Sequence, residues 1–193
     1  HRSRSVVEGA ATLARLGLDP AEPSLDSYRG WFVAQDSDRH IDRVMELAGI
    51  ERIIMTNNVF DDNERRRWLD GSAGRDSRFA AVLRIDPLLR DWPGAAARLG
   101  QWGYEIGEDL NPRTLAEVRR FLAEWIDRLA AVYCAASLPP EFCFTGRDDH
   151  SSSAVLLRDV LLPLSAERDM PLAMMIGSTA PVNPALRDAG HMV

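Results

Sequence analysis

The chain has 193 residues, of which 46% are hydrophobic and 27% are charged, a composition typical of a soluble globular domain with a substantial core. Its formal charge of −6 argues against nucleic acid as a partner, and the absence of lysine excludes catalysis through a lysine Schiff base within these 193 residues. No apolar run reaches membrane-spanning length, no signal peptide is visible, and Cys134 and Cys143 lack a metal-binding spacing, so we expect a cytoplasmic protein with no membrane partner.

Helical patterns precede the first strand of the chain. Apolar residues recur at helical intervals over 5–18 and again over 40–48, where Gly49 is expected to end the helix. Between them, 25–33 carries the aromatic side chains of Tyr28, Trp31 and Phe32, which we expect to pack against a neighbouring element. Residues 1–47 are therefore interpreted as a helical lead-in.

Four apolar runs that end in polar residues or glycine predict buried β-strands. The first lies in the stretch 49–62, and the others occupy 79–86, 131–138 and 171–177. Helical patterns follow these strands, at 61–69, 91–102, 114–130, 155–168 and 184–189. Because strand–helix–strand crossovers are right-handed, we expect four parallel strands that present their polar residues at one edge of the sheet.

Three local signals set the predicted starts of helices. Asp61 is better placed to cap the helix after the first strand than to meet a ligand. Asp86 and Pro87 indicate a turn or a helix start after the second strand. Thr114, with Glu117 three residues later, predicts a capping box for the long amphipathic helix 114–130.

Successive strand–helix units fit two architectures, an open doubly wound sheet and an eight-stranded barrel. No glycine-rich phosphate loop follows any of the strands, which disfavours a nucleotide-binding sheet. Ser137 lacks the flanking glycines of a nucleophile elbow, which disfavours a serine hydrolase. We therefore predict an α/β fold of the (β/α)8 TIM-barrel type. In this interpretation 1–193 is part of a single barrel domain, and 48–193 supplies only its central four βα units.

Four stretches of the chain resemble the uronate isomerase (glucuronate isomerase) family, which belongs to the amidohydrolase superfamily of metal-dependent barrels. They are AGIERIIMTNNVFD at 48–61, RFAAVLRIDPLL at 78–89, YCAASLPPEF at 133–142, and MIG at 175–177 followed by VNPALRDAG at 182–190. They occur in the family's order and extend over nearly the whole chain. Because members of the family are considerably longer, the resemblance implies that these residues form the middle of a barrel.

The resemblance implies an aldose–ketose isomerisation of a hexuronate, such as D-glucuronate to D-fructuronate. It also implies one divalent metal, usually zinc, bound by a His-x-His pair and an Asp. The sequence contains no His-x-His, so we assign no metal ligand here and expect the ligands outside these residues. Two alternatives are another amidohydrolase-type reaction on a small acid, and a catalytically silent barrel that binds sugar acids. The sequence does not determine the oligomeric state, and a homo-oligomer is one alternative.

Arg84 is the first candidate for a substrate-binding residue. It ends the apolar run of the second strand, where a barrel keeps its site, and the resemblance places an Arg at the same strand end. A guanidinium can hold the carboxylate of a uronate through two parallel hydrogen bonds. The alternative is an Arg84–Asp86 pair that only stabilises the strand–helix junction. Asp86 either orients Arg84 or begins the turn before Pro87.

Other candidates are amides at predicted strand ends. Asn57 and Asn58 follow the first strand and can hydrogen-bond sugar hydroxyls, or only shape a turn. Asn183 lies in a family-like turn and can reach the site or shape its loop. Where some family members have His, this chain has Met175, and near Ala180 they commonly have Arg. We expect Met175 to point into the barrel near its mouth, the alternative being an outward, purely structural side chain.

Overall fold

The computed structural model describes residues 4–74, 76–146 and 149–177. The chain divides into two compact units, His1–Ile53 and Ile54–Val193. The first unit contains three helices among its described residues, α1 (Arg4–Arg15), α2 (Leu25–Val33) and α3 (Ser37–Ala48). Strand β1 (Ile53–Asn57) begins at the boundary, so the second unit carries the sheet.

Local sequence signals explain the helices of the first unit. Asp36 caps α3 because its Oδ1 accepts the backbone N–H of Arg39 at 3.0 Å. Gly49 ends α3 in the left-handed conformation, with φ of 66°, as its position predicts. The aromatic segment forms α2, in which Trp31 contacts the His40 ring with a centroid distance of 5.7 Å.

The second unit alternates strands and helices. After β1 come α4 (Asp62–Leu69), β2 (Phe79–Arg84), α5 (Asp86–Arg90), α6 (Trp92–Gln101), α7 (Pro112–Leu129), β3 (Cys134–Leu138), α8 (Ser152–Leu156), a π-helical turn (Leu157–Leu161), α9 (Leu162–Glu167) and β4 (Leu172–Ile176). The strands form one sheet in the order β1-β2-β3-β4, and β3 pairs in parallel with β2 and with β4. The prediction of an α/β fold with a parallel sheet is confirmed.

The sheet has one face on the helical core and one face that carries polar groups. Side chains of a strand point alternately to the two faces. Leu83, Ala136 and Leu138 belong to the buried cluster, which also contains the apolar stripe of α7. Arg84 is in register with Ala135, and Ser137 with Met175. By this alternation Arg84, Ser137 and Met175 share the face opposite to the helical core.

The start of α7 differs from its prediction. The helix begins at Pro112, and its cap is Asn111, whose Oδ1 accepts the N–H of Thr114 at 2.9 Å. Thr114 itself is only 1% exposed and lies inside the helix, so the predicted capping box is wrong. Proline is favourable in the first turn because its missing N–H has no helical partner there. Glu117 instead accepts the backbone N–H of Glu105 at 2.9 Å.

The connection from α7 to β3 also shifts the predicted strand. Ala130 adopts the left-handed conformation with φ of 48°, and the N–H of Ala131 donates to the carbonyl of Ile126 at 3.0 Å. These residues complete the end of the helix. Strand β3 therefore begins at Cys134, later than the predicted 131.

The helix predicted over 155–168 is interrupted rather than continuous. It starts at Ser151, whose hydroxyl accepts the N–H of Ala154, and it widens into the π-helical turn before α9. Pro163 explains this change, because it has no N–H to donate to the carbonyl of Asp159 and its ring displaces that carbonyl. Among the helices that the structure describes, none combines the length and the apolar character needed to span a bilayer.

Candidate functional site

Arg84 and Asp86 form an ion pair at the carboxyl end of β2. Arg84 is the last residue of the strand, and Asp86 is the first residue of α5. Nε of Arg84 donates to Oδ2 of Asp86 at 2.7 Å, and Nη2 donates to Oδ1 at 2.6 Å. The two side chains are 27% and 13% exposed. Asp86 therefore pairs with Arg84 and also begins α5, and a role for this pair in binding a substrate stays a prediction.

Ser137 joins this pair from the neighbouring strand. Its hydroxyl accepts a hydrogen bond from Nη2 of Arg84 at 3.1 Å, and its backbone N–H donates to Oδ1 of Asp86 at 2.7 Å. At the preceding residue, the N–H of Ile85 donates to the carbonyl of Ala135 at 2.9 Å, as in a regular parallel sheet. At the end of β2 the Asp86 carboxylate then accepts the N–H of Ser137, which a backbone carbonyl would accept in a continuing strand.

Both members of the ion pair are ionised at neutral pH. Burial raises the pKa of the Asp86 carboxyl, but the Arg84 guanidinium and the Ser137 N–H outweigh burial and lower it below its ordinary value. The hydrogen bond to Asp86 raises the pKa of Arg84, against the opposing effect of burial. The pair therefore has little net charge, and an anion would be recognised there mainly by directed N–H groups.

Some N–H donors of Arg84 bind described residues of the protein, and others have no partner among them. A guanidinium carries one N–H on Nε and two on each terminal nitrogen. Nε donates to Asp86, and Nη2 donates to both Asp86 and Ser137. Nη1 donates to none of the residues that the structure describes. The two-pronged edge formed by Nε and Nη2 is therefore occupied, and a ligand carboxylate would meet the guanidinium at Nη1.

Asn57 and Asn58 belong to a second group, organised by Glu64 of α4. Nδ2 of Asn57 donates to Oε1 of Glu64 at 2.7 Å, and the backbone N–H of Asn58 donates to Oε2 at 3.0 Å. Oδ1 of Asn58 accepts the N–H of Phe60 at 3.1 Å, which is the turn-forming role. Oδ1 of Asn57 is buried and has no hydrogen-bond partner among the residues that the structure describes. Asp61 caps α4 as predicted, by accepting the N–H of Glu64.

The two polar groups at the strand ends are separate. A cavity of about 850 Å³ lies beside Asn57 and Glu64, and its other walls come mainly from β1, α4 and the segment leading into β2. Arg84 is not among the residues that line this cavity. The hydrogen bonds likewise connect Asn57 to α4 and Arg84 to β3. Among the described residues, hydrogen bonds therefore connect Arg84 with Asp86 and Ser137, and Asn57 with Glu64, without joining the two groups.

Met175 borders the Arg84 group. It is in register with Ser137, as Ala173 is with Ala135, and its side chain is 50% exposed. By the alternation of side chains along β4, it shares a face with Ala173. A thioether does not titrate, so Met175 brings no proton-transfer group to this face. Asn183 and Ala180 lie outside the described residues.

Within the part of the chain that the structure describes, the residues that could bind a metal do not come together. Over 4–74, 76–146 and 149–177, no group of three or more His, Cys, Asp and Glu side chains is arranged to hold a metal ion. His40 contacts aromatic rings of α2, and His150 is exposed in the segment before α8. The described residues therefore do not fit a metal centre.

Sequence reasoning missed two residues that organise these groups. The sequence raises Ser137 only as a nucleophile, although it occupies the same kind of strand exit as Arg84. Glu64 falls within the predicted helix 61–69 and is not itself a candidate, although a helix that directly follows a strand exit can return its first-turn side chains to that exit. Position at a strand end was the available signal for Ser137, and first-turn position was the signal for Glu64.

Comparisons with known proteins find similarity among solved structures. The chain is 45% identical to a uronate isomerase from Bacillus halodurans C-125, with a TM-score of 0.80, over 94% of this chain and 42% of that enzyme. It is 15% identical to a glucuronate isomerase from Caulobacter crescentus, with a TM-score of 0.46, over 77% of this chain and 36% of that one. No protein-family model matches, and neither does any curated protein. The chain thus spans less than half of the length of either enzyme.

Proposed function

The chain belongs to the uronate isomerase family, and on that basis we propose that the protein interconverts the aldose and ketose forms of a hexuronate, such as D-glucuronate and D-fructuronate. One observation carries the proposal: the 45% identity to the Bacillus halodurans uronate isomerase, which extends over 94% of this chain with a TM-score of 0.80. Similarity this extensive includes the strand ends where barrel enzymes keep their sites.

Arg84 is proposed to bind the carboxylate of the uronate. Nη1 is the part of the guanidinium that no described residue uses, and it lies at a strand end beside Ser137. Asp86 holds the other edge of the guanidinium, so that Arg84 is fixed before the substrate arrives. Such an anchor positions the reacting carbons without taking part in bond making or breaking.

Proton transfer is proposed to depend on other residues. An aldose–ketose isomerisation moves a proton between C2 and C1 through an enediol-like intermediate, which requires an acid and a base. Asp86 is a poor base because its hydrogen bonds to Arg84 and Ser137 lower the pKa of its carboxyl. Met175 cannot exchange a proton at all. Among the described residues of this group, none is therefore suited to the proton transfer, and we assign these residues to binding.

The proposal extends to the rest of the protein. We propose that the parallel sheet is part of a (β/α)8 barrel of the amidohydrolase type, with β2 and β3 contributing adjacent strand ends to its mouth. The family resemblance implies a divalent metal, usually zinc. Since the described residues do not fit a metal centre, its ligands would come from elsewhere in the protein.

A product assay on the purified natural protein tests this function. We expect it to convert D-glucuronate or D-galacturonate to the corresponding ketose, and to contain about one equivalent of divalent metal per polypeptide. D-glucose, which has the same ring without the carboxylate, serves as the matched control and should not be converted. Failure to form a ketose from either uronate, with zinc supplied, would overturn the proposal.

A further inference from the structure

Ser137 has an unused hydrogen-bond donor next to the open side of Arg84. Its Oγ accepts from Nη2 of Arg84 at 3.1 Å, which leaves its own O–H free to donate. That O–H has no acceptor among the residues that the structure describes. The side chain is partly exposed, so the donor is accessible from the same face of the sheet as Arg84.

Nη2 connects the two free donors. It belongs to the same guanidinium group as Nη1 of Arg84, and it donates a hydrogen bond to Oγ of Ser137. Asp86 occupies the opposite edge of the guanidinium through Nε and Nη2. An approaching carboxylate is repelled by the Asp86 carboxylate, and among the described residues the Nη1 group of Arg84 and the Ser137 hydroxyl offer it donors on the side away from Asp86.

We propose that Ser137 is a substrate-binding residue that determines preference for an acid. Its O–H donates to one oxygen of the substrate carboxylate while Nη1 of Arg84 donates to the other. This inference rests on the proposed uronate substrate, and it adds a second residue to the recognition of the carboxylate. Because Asp86 offsets the charge of Arg84, each directed donor contributes a large share of the discrimination between an acid and an uncharged sugar.

Ser137→Ala removes this donor without breaking the ion pair. The backbone N–H of Ser137 holds Asp86, so that tie to β3 remains in the variant, and the hydroxyl is lost together with the hydrogen bond that it accepts from Nη2 of Arg84. Ser137→Thr retains a hydroxyl at the same position. Ser165→Ala is the matched control, because the Ser165 hydroxyl also makes one hydrogen bond, to the carbonyl of Met170, away from Arg84.

The test measures Kd for D-glucuronate and for D-glucose by calorimetry, and KM and kcat for the uronate, in the full-length natural protein. We expect Ser137→Ala to raise Kd and KM for the uronate by about 10-fold or more, with kcat and the weak binding of glucose unchanged. Ser137→Thr and Ser165→Ala should remain close to the wild type.

Unchanged uronate affinity in Ser137→Ala overturns the inference, as does an equal loss for acid and uncharged sugar, or a Ser137→Thr variant as weak as the alanine variant. The function and the inference fail in different ways. A wild type that isomerises uronates while Ser137→Ala binds them normally refutes only the inference. A wild type that binds uronate through Ser137 but forms no ketose refutes only the function. A wild type with no affinity for uronate refutes both.

Discussion

The backbone N–H of Ser137 donates to Oδ1 of Asp86 at 2.7 Å, across 51 positions of the sequence. This bond ties the end of β3 to the start of α5. The same Oδ1 accepts Nη2 of Arg84, so the orientation of the guanidinium depends on the end of β3 as well as on the start of α5. The arrangement makes Asp86 a structural residue of the fold and, through Arg84, a positioning residue of the proposed site.

Asp86→Asn should destabilise the protein. The amide cannot reproduce the charged double hydrogen bond with Arg84, which is largely removed from solvent, so we expect the free energy of unfolding at pH 7 to fall by about 1–3 kcal/mol. The folded-state pKa of Asp86 is lowered. Its stabilisation is therefore complete above the unfolded carboxyl pKa of about 3.9 and is lost as the pH falls through the folded value. Urea denaturation at pH 7 and pH 3 measures both effects.

An exposed pair of the same residue types provides the control for that measurement. Nη1 of Arg29 lies 3.0 Å from Oδ1 of Asp26, and the two side chains are 72% and 88% exposed. Such exposed pairs contribute about 0–1 kcal/mol to the free energy of unfolding. Asp26→Asn should therefore change the unfolding free energy very little. Equal effects of the two substitutions would show that the Asp86 pair makes no special contribution.

Arg84→Lys should weaken uronate binding while the fold is kept. Lysine retains the charge but not the planar set of N–H groups that binds Asp86, Ser137 and the proposed carboxylate together. We expect a loss of about 1–3 kcal/mol, or roughly 5- to 150-fold in Kd, measured by calorimetry with D-glucuronate. Arg168→Lys is a suitable control because Arg168 also pairs with an Asp, at 2.6 Å, and its side chain is 32% exposed. Wild-type affinity in Arg84→Lys would exclude Arg84 from the site.

Met175 should influence the size of the activity but not its pH dependence. It lies beside Ser137 in register and has no titratable group, so Met175→Ala should alter turnover only through packing. Met175→His introduces an imidazole with a reference pKa of about 6.5 and should add an ionisation to the pH–rate profile. A shift of about one pH unit or more in the profile of Met175→Ala would contradict this role.

Asn57→Asp should produce a destabilisation that depends on pH. The new carboxyl would replace an amide that lies 2.7 Å from Oε1 of Glu64, which raises the pKa of one of the two acids in the folded state. A raised acid pKa costs stability above the unfolded value of about 4 and costs none below it. We expect a loss of about 1–3 kcal/mol at pH 7 that disappears at low pH. Thermal unfolding at pH 7 and at low pH measures this loss. Asn63→Asp, at an exposed position of α4, the helix that carries Glu64, is the control and should show none.

The sequence predicted those features that depend on neighbouring residues. Gly49 ends α3 and Asp61 caps α4 because each acts within one turn of a helix. The cap of α7 was mispredicted because Thr114 fits the same local pattern as Asn111, and only the position of Pro112 distinguishes them. Pro163 did carry a local signal for the interruption of the last helix.

The candidate site was predictable only in part. Arg84 and Asp86 are two residues apart, and their pairing follows from local geometry. Ser137 joins them only through the register of β2 against β3. The apolar runs predict the two strands but not which residues of one strand pair with which residues of the other. The hydrogen bond from Asn57 to Glu64 of α4 likewise depends on how the helix after β1 returns to the strand end. Strand ends identify which residues are candidates, and the register determines which of them meet.

The most direct test of uronate isomerase activity follows the reacting carbon. D-glucuronate labelled with ¹³C at C1 is incubated with the purified natural protein and zinc, and the label is observed by NMR. We predict that the signal of the aldose C1 is replaced by that of a ketose hydroxymethyl carbon, at a rate proportional to enzyme concentration. An aldose signal that stays unchanged under these conditions would contradict the assignment of isomerase activity.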